Sequence, residues 1–230
     1  MHLVKNRQIF YGRCMRSIIL FDLDGTLLDT SPGIFATANH TMEVLGMKTL
    51  PASQLRKFVG PPLAACFRVA CGLEESIIPK ACEIYRAKYA NDGAMFQAQV
   101  YAGIPGLLEK LKGQGIILGV ATLKLEPLAA TILEHFGLSQ YFSIVSGADL
   151  AGTLSKADII TSALSRLGET DLEHVLMVGD TPHDLDGALA IGVDFVGVDW
   201  GFGFSRGHEA PPVEHVLGMI DEPSALLAYA

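Results

Sequence analysis

Cysteine, tryptophan and basic charge are all scarce in this chain. The four cysteines, Cys14, Cys66, Cys71 and Cys82, form no CxxC pair, and no histidine cluster stands near them at zinc spacing. That spacing excludes a zinc-ribbon reading and leaves buried or idle thiols in a reducing cytoplasm. Lysine and arginine total 17 against 25 acidic residues, a net charge of -8. Such a balance argues against a broad nucleic-acid-binding face, although a metal ion and one or two lysines can still reverse the field locally. Long apolar runs are missing too. The stretch that follows the mildly basic residues 1–16 is broken by Asp22, so it fits neither a signal peptide nor a membrane span. Residues 1–14 read as an extension, with Met15 a second candidate start. Low-complexity tracts and internal repeats are absent, and half of the residues are hydrophobic. At 230 residues, this is one large domain or a core domain carrying a smaller insert.

Short apolar runs alternate with helical patterns, the signature of a parallel sheet flanked by helices. Strands are expected at 17–22, 115–122, 142–147, 174–180 and 194–199, with a sixth at 215–220. Helices are expected at 105–112, 127–136, 156–167 and 184–191, with Gly113, Gly137 and Gly192 as C-terminal caps to three of them. Residues 31–98 differ. Ser31 is a candidate N-cap with Pro32 behind it, and Ile34, Ala38, Met42 and Leu45 share one helical face. Further helical pattern runs through 62–70 and 79–90 without a clear strand, so a small helical domain separates the first strand from the second.

The stretch IILFDLDGTLLDT, residues 18–30, poses the chemical question. An apolar strand ends in two carboxylates one residue apart, followed by Gly25 and Thr26. Strand alternation points Asp22 and Asp24 the same way, where like charges repel and burial without a partner is costly. In an open parallel sheet, ligands gather beyond the carboxyl ends of the strands. Thr122 and Lys124 stand at the end of the second strand, Lys156 opens the helix after the third, and the fourth ends in GDTPHD with Asp180 and Asp184. Taken singly, Asp184 reads as a helix cap, Lys156 as a solvated helix start and Thr122 as a strand terminus. Together with the aspartate pair they form an oxygen-rich rim suited to Mg²⁺ and phosphate oxygens, and such a cation would offset the repulsion.

Four segments in order, DLDGTLLDT, VATLK, Lys156 and GDTPHD, resemble the four motifs of the haloacid dehalogenase-like superfamily of phosphohydrolases. The resemblance runs from residue 17 through nearly the whole chain. It is nearest to phosphoglycolate phosphatase-like members, through VYAGIPGLLEKLKGQG and VGVDWGFG. It implies an α/β fold, a Rossmann-like parallel-sheet core (15–30 and 99–230) with an inserted all-helical cap domain (31–98).

The resemblance also implies roles. Asp22 would be the nucleophile, forming an aspartyl-phosphate intermediate. Mg²⁺ would be held by Asp22, the Asp24 backbone carbonyl and Asp180, with Asp184 positioning Lys156 or a water on the metal. Asp24 would act as general acid and then base, Thr122 would donate to a phosphoryl oxygen, and Lys156 would add charge. Dehalogenating members carry an aromatic residue at position 24 and phosphonate-cleaving members a small one, so the acid there points to phosphate monoesters. The expected substrate is a small phosphorylated metabolite, 2-phosphoglycolate-like or a nucleoside monophosphate, with no nucleic-acid or membrane partner. Sugar phosphomutases share the acid and the helical cap, and a catalytically idle binding module is a third reading. Substrate contacts are sought in the cap, at Arg56, Lys57 and the Gly60–Pro61–Pro62 turn, and near Trp200. His183 is given no chemistry.

Overall fold

The computed structural model describes residues 16–230. Cys14, Met15 and the expected extension at 1–14 lie outside the described residues. Strand β1 (Ile18–Phe21) is followed by the two-residue β2 (Leu28–Asp29) and then by four helices: α1 (Ser31–Val44), α2 (Ala52–Leu55), α3 (Leu63–Cys71) and α4 (Ile78–Asn91). After β3 (Gln99–Val100), strands and helices alternate: α5 (Ile104–Gly113), β4 (Ile117–Leu125), α6 (Glu126–His135), β5 (Ile144–Ala148), α7 (Lys156–Leu167), β6 (Val175–Gly179), α8 (Pro182–Ile191), β7 (Asp194–Val198) and β8 (Val216–Ile220).

Six strands form one parallel sheet in the order β5-β4-β1-β6-β7-β8. The apolar runs are continuous because the sheet is buried on both faces. Within β1, Ile19 and Phe21 join one apolar cluster while Ile18 and Leu20 join the other. The first cluster continues from the sheet into the helical segment through Leu55, Phe58, Phe67 and Tyr85. The second lies under α7 and α8, around Ile159, Ile160 and Ala188. Strand order reverses at β1, with β4 and β5 to one side and β6 to β8 to the other, so its C-terminal end opens on the crevice where open sheets bind ligands.

All six sheet strands fall where the apolar runs placed them, and several boundaries differ. Ser31 is the first residue of α1 rather than its cap. Thr30 precedes the helix, but its hydroxyl is engaged elsewhere, and Asp29 Oδ1 accepts the Ser31 N–H instead. Gly113 is the last residue of α5, and the left-handed turn falls on Gly115, φ +84°. Helix α8 begins at Pro182, so Asp184 lies in its first turn. Strand β4 continues past Thr122 to Leu125 with a register irregularity between them. The antiparallel pairing of β2 with β3, Leu28 opposite Val100 and Asp29 opposite Gln99, has no counterpart in the sequence pattern. Among the described residues, no helix is long and apolar enough to cross a membrane.

Candidate active site

The tips of β1, β4 and β6 and the start of α7 converge on one rim. Asp22 follows β1 directly, and its N–H donates to Val178 O at 2.9 Å, which ties it to β6. Gly25 then turns the chain with φ +91°, a conformation that favours glycine. A Cβ at that position would collide with the Asp180 carboxylate, so the loop backbone can lie against that acid only as glycine.

Lys156 is fixed by its helix. Ser155 caps α7, accepting from the Asp158 N–H at 3.2 Å while Asp158 Oδ2 accepts from the Ser155 N–H at 2.8 Å. That reciprocal pair sets Lys156 at the first helical position, and its side chain is only 3% exposed. Its Nζ lies 2.5 Å from Asp22 Oδ1 and 2.6 Å from Asp184 Oδ1. The other oxygen of Asp184 accepts from the Thr181 N–H at 2.9 Å and the Thr181 hydroxyl at 2.7 Å. Asp184 therefore joins the start of α8 to the ammonium, from the third helical position of a capping box whose cap residue is Thr181 rather than from the cap position itself.

Asp180 is fully buried. Its Oδ1 accepts from the Thr26 hydroxyl at 3.2 Å and its Oδ2 from the Phe202 N–H at 2.7 Å. Trp200 supports this loop, its indole N–H donating to Thr26 O at 3.2 Å. Asp22, Asp180 and Asp184 each offer an oxygen, and these atoms all lie within 4.8 Å of one another.

The electrostatics follow from this crowding. Burial pushes the Asp22 carboxyl up to about 7; the Lys156 ammonium opposes that rise, while Asp184 and Asp24 add to it. Burial, with Asp184 and Asp22, likewise holds Asp180 well above the ordinary range. Burial alone would lower the pKa of Lys156, but Asp184 and Asp22 outweigh it and raise it. Two of the three carboxylates thus share one ammonium and the third, Asp180, has none, so the ionised cluster would carry more negative charge than Lys156 neutralises. Hard oxygen donors with that surplus fit a small divalent cation.

Asp24 points into different company. Its Oδ1 accepts from the Thr30 hydroxyl at 2.5 Å and its Oδ2 lies 3.0 Å from Lys124 Nζ. Thr122 is buried, and its Oγ1 accepts the Lys124 N–H at 3.2 Å, which leaves its own proton for donation. Beside Asp24 is a cavity of about 100 Å³, walled by Ile34, Phe58, Pro61, Tyr85, Leu123 and Lys124 among others. Gly60, at φ +102°, lines this cavity and lies against Thr181 of the core, so the expected turn does reach the rim. Arg56 instead sits over the Phe202 ring, 6.0 Å from its centroid.

Sequence reasoning located Lys124 at the rim without giving it a role, and it passed over Thr30 and Tyr89. The Tyr89 hydroxyl, 3.3 Å from Lys124 Nζ, comes from α4 across 35 residues of sequence. Nothing local in the sequence signals that contact. Thr30 carried a weak clue: a hydroxyl placed before a helix does not always turn inward to cap it.

A parallel sheet with its crevice at the strand-order reversal, rimmed by buried carboxylates and lysines, is an α/β core with a built ligand crevice. The family model of haloacid dehalogenase-like hydrolases matches residues 19–198, and the chain belongs to that family. The tyrosine-protein kinase PtkA of Mycobacterium tuberculosis is 41% identical over 187 residues, covering 81% of this chain. This chain spans 63% of that protein's length. A solved structure of PtkA superposes with a TM-score of 0.78 at 35% identity, covering 94% of this chain and 98% of that one. A 5'-nucleotidase of Pseudomonas aeruginosa is 40% identical over 80% of this chain and 83% of its own. A phosphoglycolate phosphatase of Aquifex aeolicus is 31% identical over 80% and 85%, respectively.

Proposed function

We propose that this hydrolase is a Mg²⁺-dependent phosphatase acting on small phosphate monoesters through a phosphorylated aspartate. The observation that carries the reading is the cluster of Asp22, Asp180 and Asp184, two of them paired with Lys156, with a further acid, Asp24, two residues beyond Asp22. In this reading residues 31–98 form the cap, and 15–30 with 99–230 form the hydrolase core. The relatives named as a 5'-nucleotidase and a phosphoglycolate phosphatase support a small phosphorylated metabolite as substrate, 2-phosphoglycolate-like or a nucleoside monophosphate. The free thiols Cys66, Cys71 and Cys82 suit a reducing compartment such as the cytoplasm.

Each residue has a definite task. Asp22 attacks phosphorus in line, forming an Asp22–phosphorus bond as the bond to the ester oxygen breaks. Asp24 gives its proton to the departing alkoxide. Water then attacks phosphorus, the Asp22–phosphorus bond breaks, Asp24 takes up the water proton, and inorganic phosphate leaves. Thr122 donates its hydroxyl to a phosphoryl oxygen, and Lys156 contributes positive charge while holding Asp22 in place. When bound by Asp22, Asp180 and the Asp24 carbonyl, Mg²⁺ supplies the charge that neutralises the phosphoryl oxygens.

The test is release of inorganic phosphate from p-nitrophenyl phosphate and from a panel of phosphorylated metabolites, with Mg²⁺ or with EDTA. Turnover with Mg²⁺ that EDTA abolishes is expected. Equal turnover in metal-free buffer would overturn the metal dependence. Transfer of the phosphoryl group to a protein tyrosine, or turnover that requires a sugar bisphosphate, would overturn hydrolysis as the reaction.

A further inference from the structure

We propose that Lys124 sets the specificity of the site by binding an anionic group on the leaving alcohol, which makes the substrate a phosphate monoester of a short hydroxy acid. This inference rests on the phosphatase reading above. In that reading the phosphoryl group occupies the Asp22, Thr122 and Lys156 side of the rim. The alcohol then lies on the side of Asp24, which is where the cavity opens.

The cavity has a mostly apolar wall and one deeply buried cation. The Lys124 side chain is 8% exposed. An ammonium has three N–H donors. Asp24 Oδ2 at 3.0 Å and the Tyr89 hydroxyl at 3.3 Å take two of them. The Tyr89 ring also lies near the ammonium, its centroid 4.9 Å from Nζ. Tyr89 is itself held by stacking on Tyr85, which stacks on Phe58, so Nζ is fixed from the helical side. The third donor faces a choice of ligand. A purely hydrocarbon alcohol would close the cavity over a donor with no acceptor, a costly arrangement. A carboxylate would satisfy it with a charge-assisted bond.

Of the two cations on the cavity wall, Lys124 is the deeply buried one beside Asp24, whereas Arg86 directs Nη2 to Leu150 O at 3.2 Å in an exposed contact. Asp149, also on the wall, is acidic. Size points the same way. A cavity of about 100 Å³ is smaller than the ~150 Å³ that encloses benzene, so the part of the alcohol it takes in is a few heavy atoms. Because Nζ is one hydrogen bond from Asp24, a carboxylate one or two carbons beyond the ester oxygen lies within its reach.

The experiment compares kcat/KM for 2-phosphoglycolate, 2-hydroxyethyl phosphate and ethyl phosphate, with p-nitrophenyl phosphate as a reference. The wild-type enzyme is expected to prefer the acid to the ethyl ester by roughly 10²-fold or more, with the hydroxyethyl ester between them. In Lys124→Met the ratio of acid to ethyl ester is expected to collapse toward one, and Lys124→Arg to restore part of it. A structural role alone would lower all esters together and leave the ratio unchanged, which would overturn the proposal. Product inhibition needs no variant: glycolate should inhibit p-nitrophenyl phosphate hydrolysis competitively, and ethanol at equal concentration should not. Equal inhibition by both, or a nucleoside monophosphate preferred over 2-phosphoglycolate, would also overturn it. If the wild-type enzyme fails on p-nitrophenyl phosphate itself, the phosphatase reading falls first.

Discussion

Lys156 Nζ sits between two carboxylates, 2.5 Å from Asp22 Oδ1 and 2.6 Å from Asp184 Oδ1, with all three side chains buried. A single ammonium thereby carries the charge of the proposed nucleophile and of the helix start beside it. Removing one member of a buried ion pair is far more damaging than never having had it, because the remaining charge is left unpaired. Lys156→Met is therefore expected to lower stability by about 3–5 kcal/mol. Urea unfolding at pH 7.5 measures it, and moving to pH 5 should recover part of the loss as the stranded carboxyls take up protons. A loss below 1 kcal/mol would mean that Lys156 does not balance this cluster.

The same crowding predicts a pH-dependent response to metal. The folded-state pKa of Asp22 is raised, from an ordinary 3.8 to about 7, and that of Asp180 shifts in the same direction. Between those values the native state binds more protons than the unfolded chain. These groups therefore favour the fold at low pH and oppose it as pH rises through 7. A cation that binds the ionised cluster reverses the penalty. The gain in melting temperature from Mg²⁺ over EDTA should be larger at pH 8 than at pH 5. Equal gains at both pH values would count against binding at these carboxylates.

Asp22→Asn should abolish turnover while leaving a folded protein, because the amide is nearly isosteric. It should also prevent beryllium fluoride from trapping the enzyme, since that mimic forms on an aspartate oxygen. Near wild-type turnover in the variant would mean that another residue attacks phosphorus.

Asp24→Asn should discriminate between leaving groups. An alkyl ester releases a strongly basic alkoxide that needs a proton in the transition state, whereas nitrophenolate leaves without one. General acid assistance is worth roughly 10²–10⁴-fold. The same acid also serves hydrolysis of the intermediate, so the single-turnover burst of alcohol against nitrophenolate is the clean comparison. Bursts slowed by one common factor would remove Asp24 from the leaving-group role.

How far the sequence could be read depended on the range of the interaction. Strands β1 and β6 were plain because burial on both faces makes a strand apolar at every position. Asp22, Asp24, Thr122, Lys156, Asp180 and Asp184 were legible because each stands at the end of such a run or the start of a helix. Ser31 was misplaced by one residue because the hydroxyl before it serves Asp24 and not the helix. The pairing of Lys124 with both Asp24 and Tyr89 was invisible: it joins a strand tip to a helix of another segment, and no periodicity encodes that. The β2–β3 pair escaped because two-residue strands carry no alternation to detect.

That short pair has a consequence for how this molecule can diversify. The helices from α1 to α4 leave the sheet after Asp29 and return at Gln99, and those two residues face each other across the ribbon. A segment whose ends are already neighbours adds little closure entropy when it is lengthened or exchanged. The four acids, the lysine and the threonine of the rim all lie outside it, at positions 22–24 and 122–184. The rim can thus be kept while the helical wall of the chamber beside it is swapped like a lens in a fixed mount, with two junctions to rejoin.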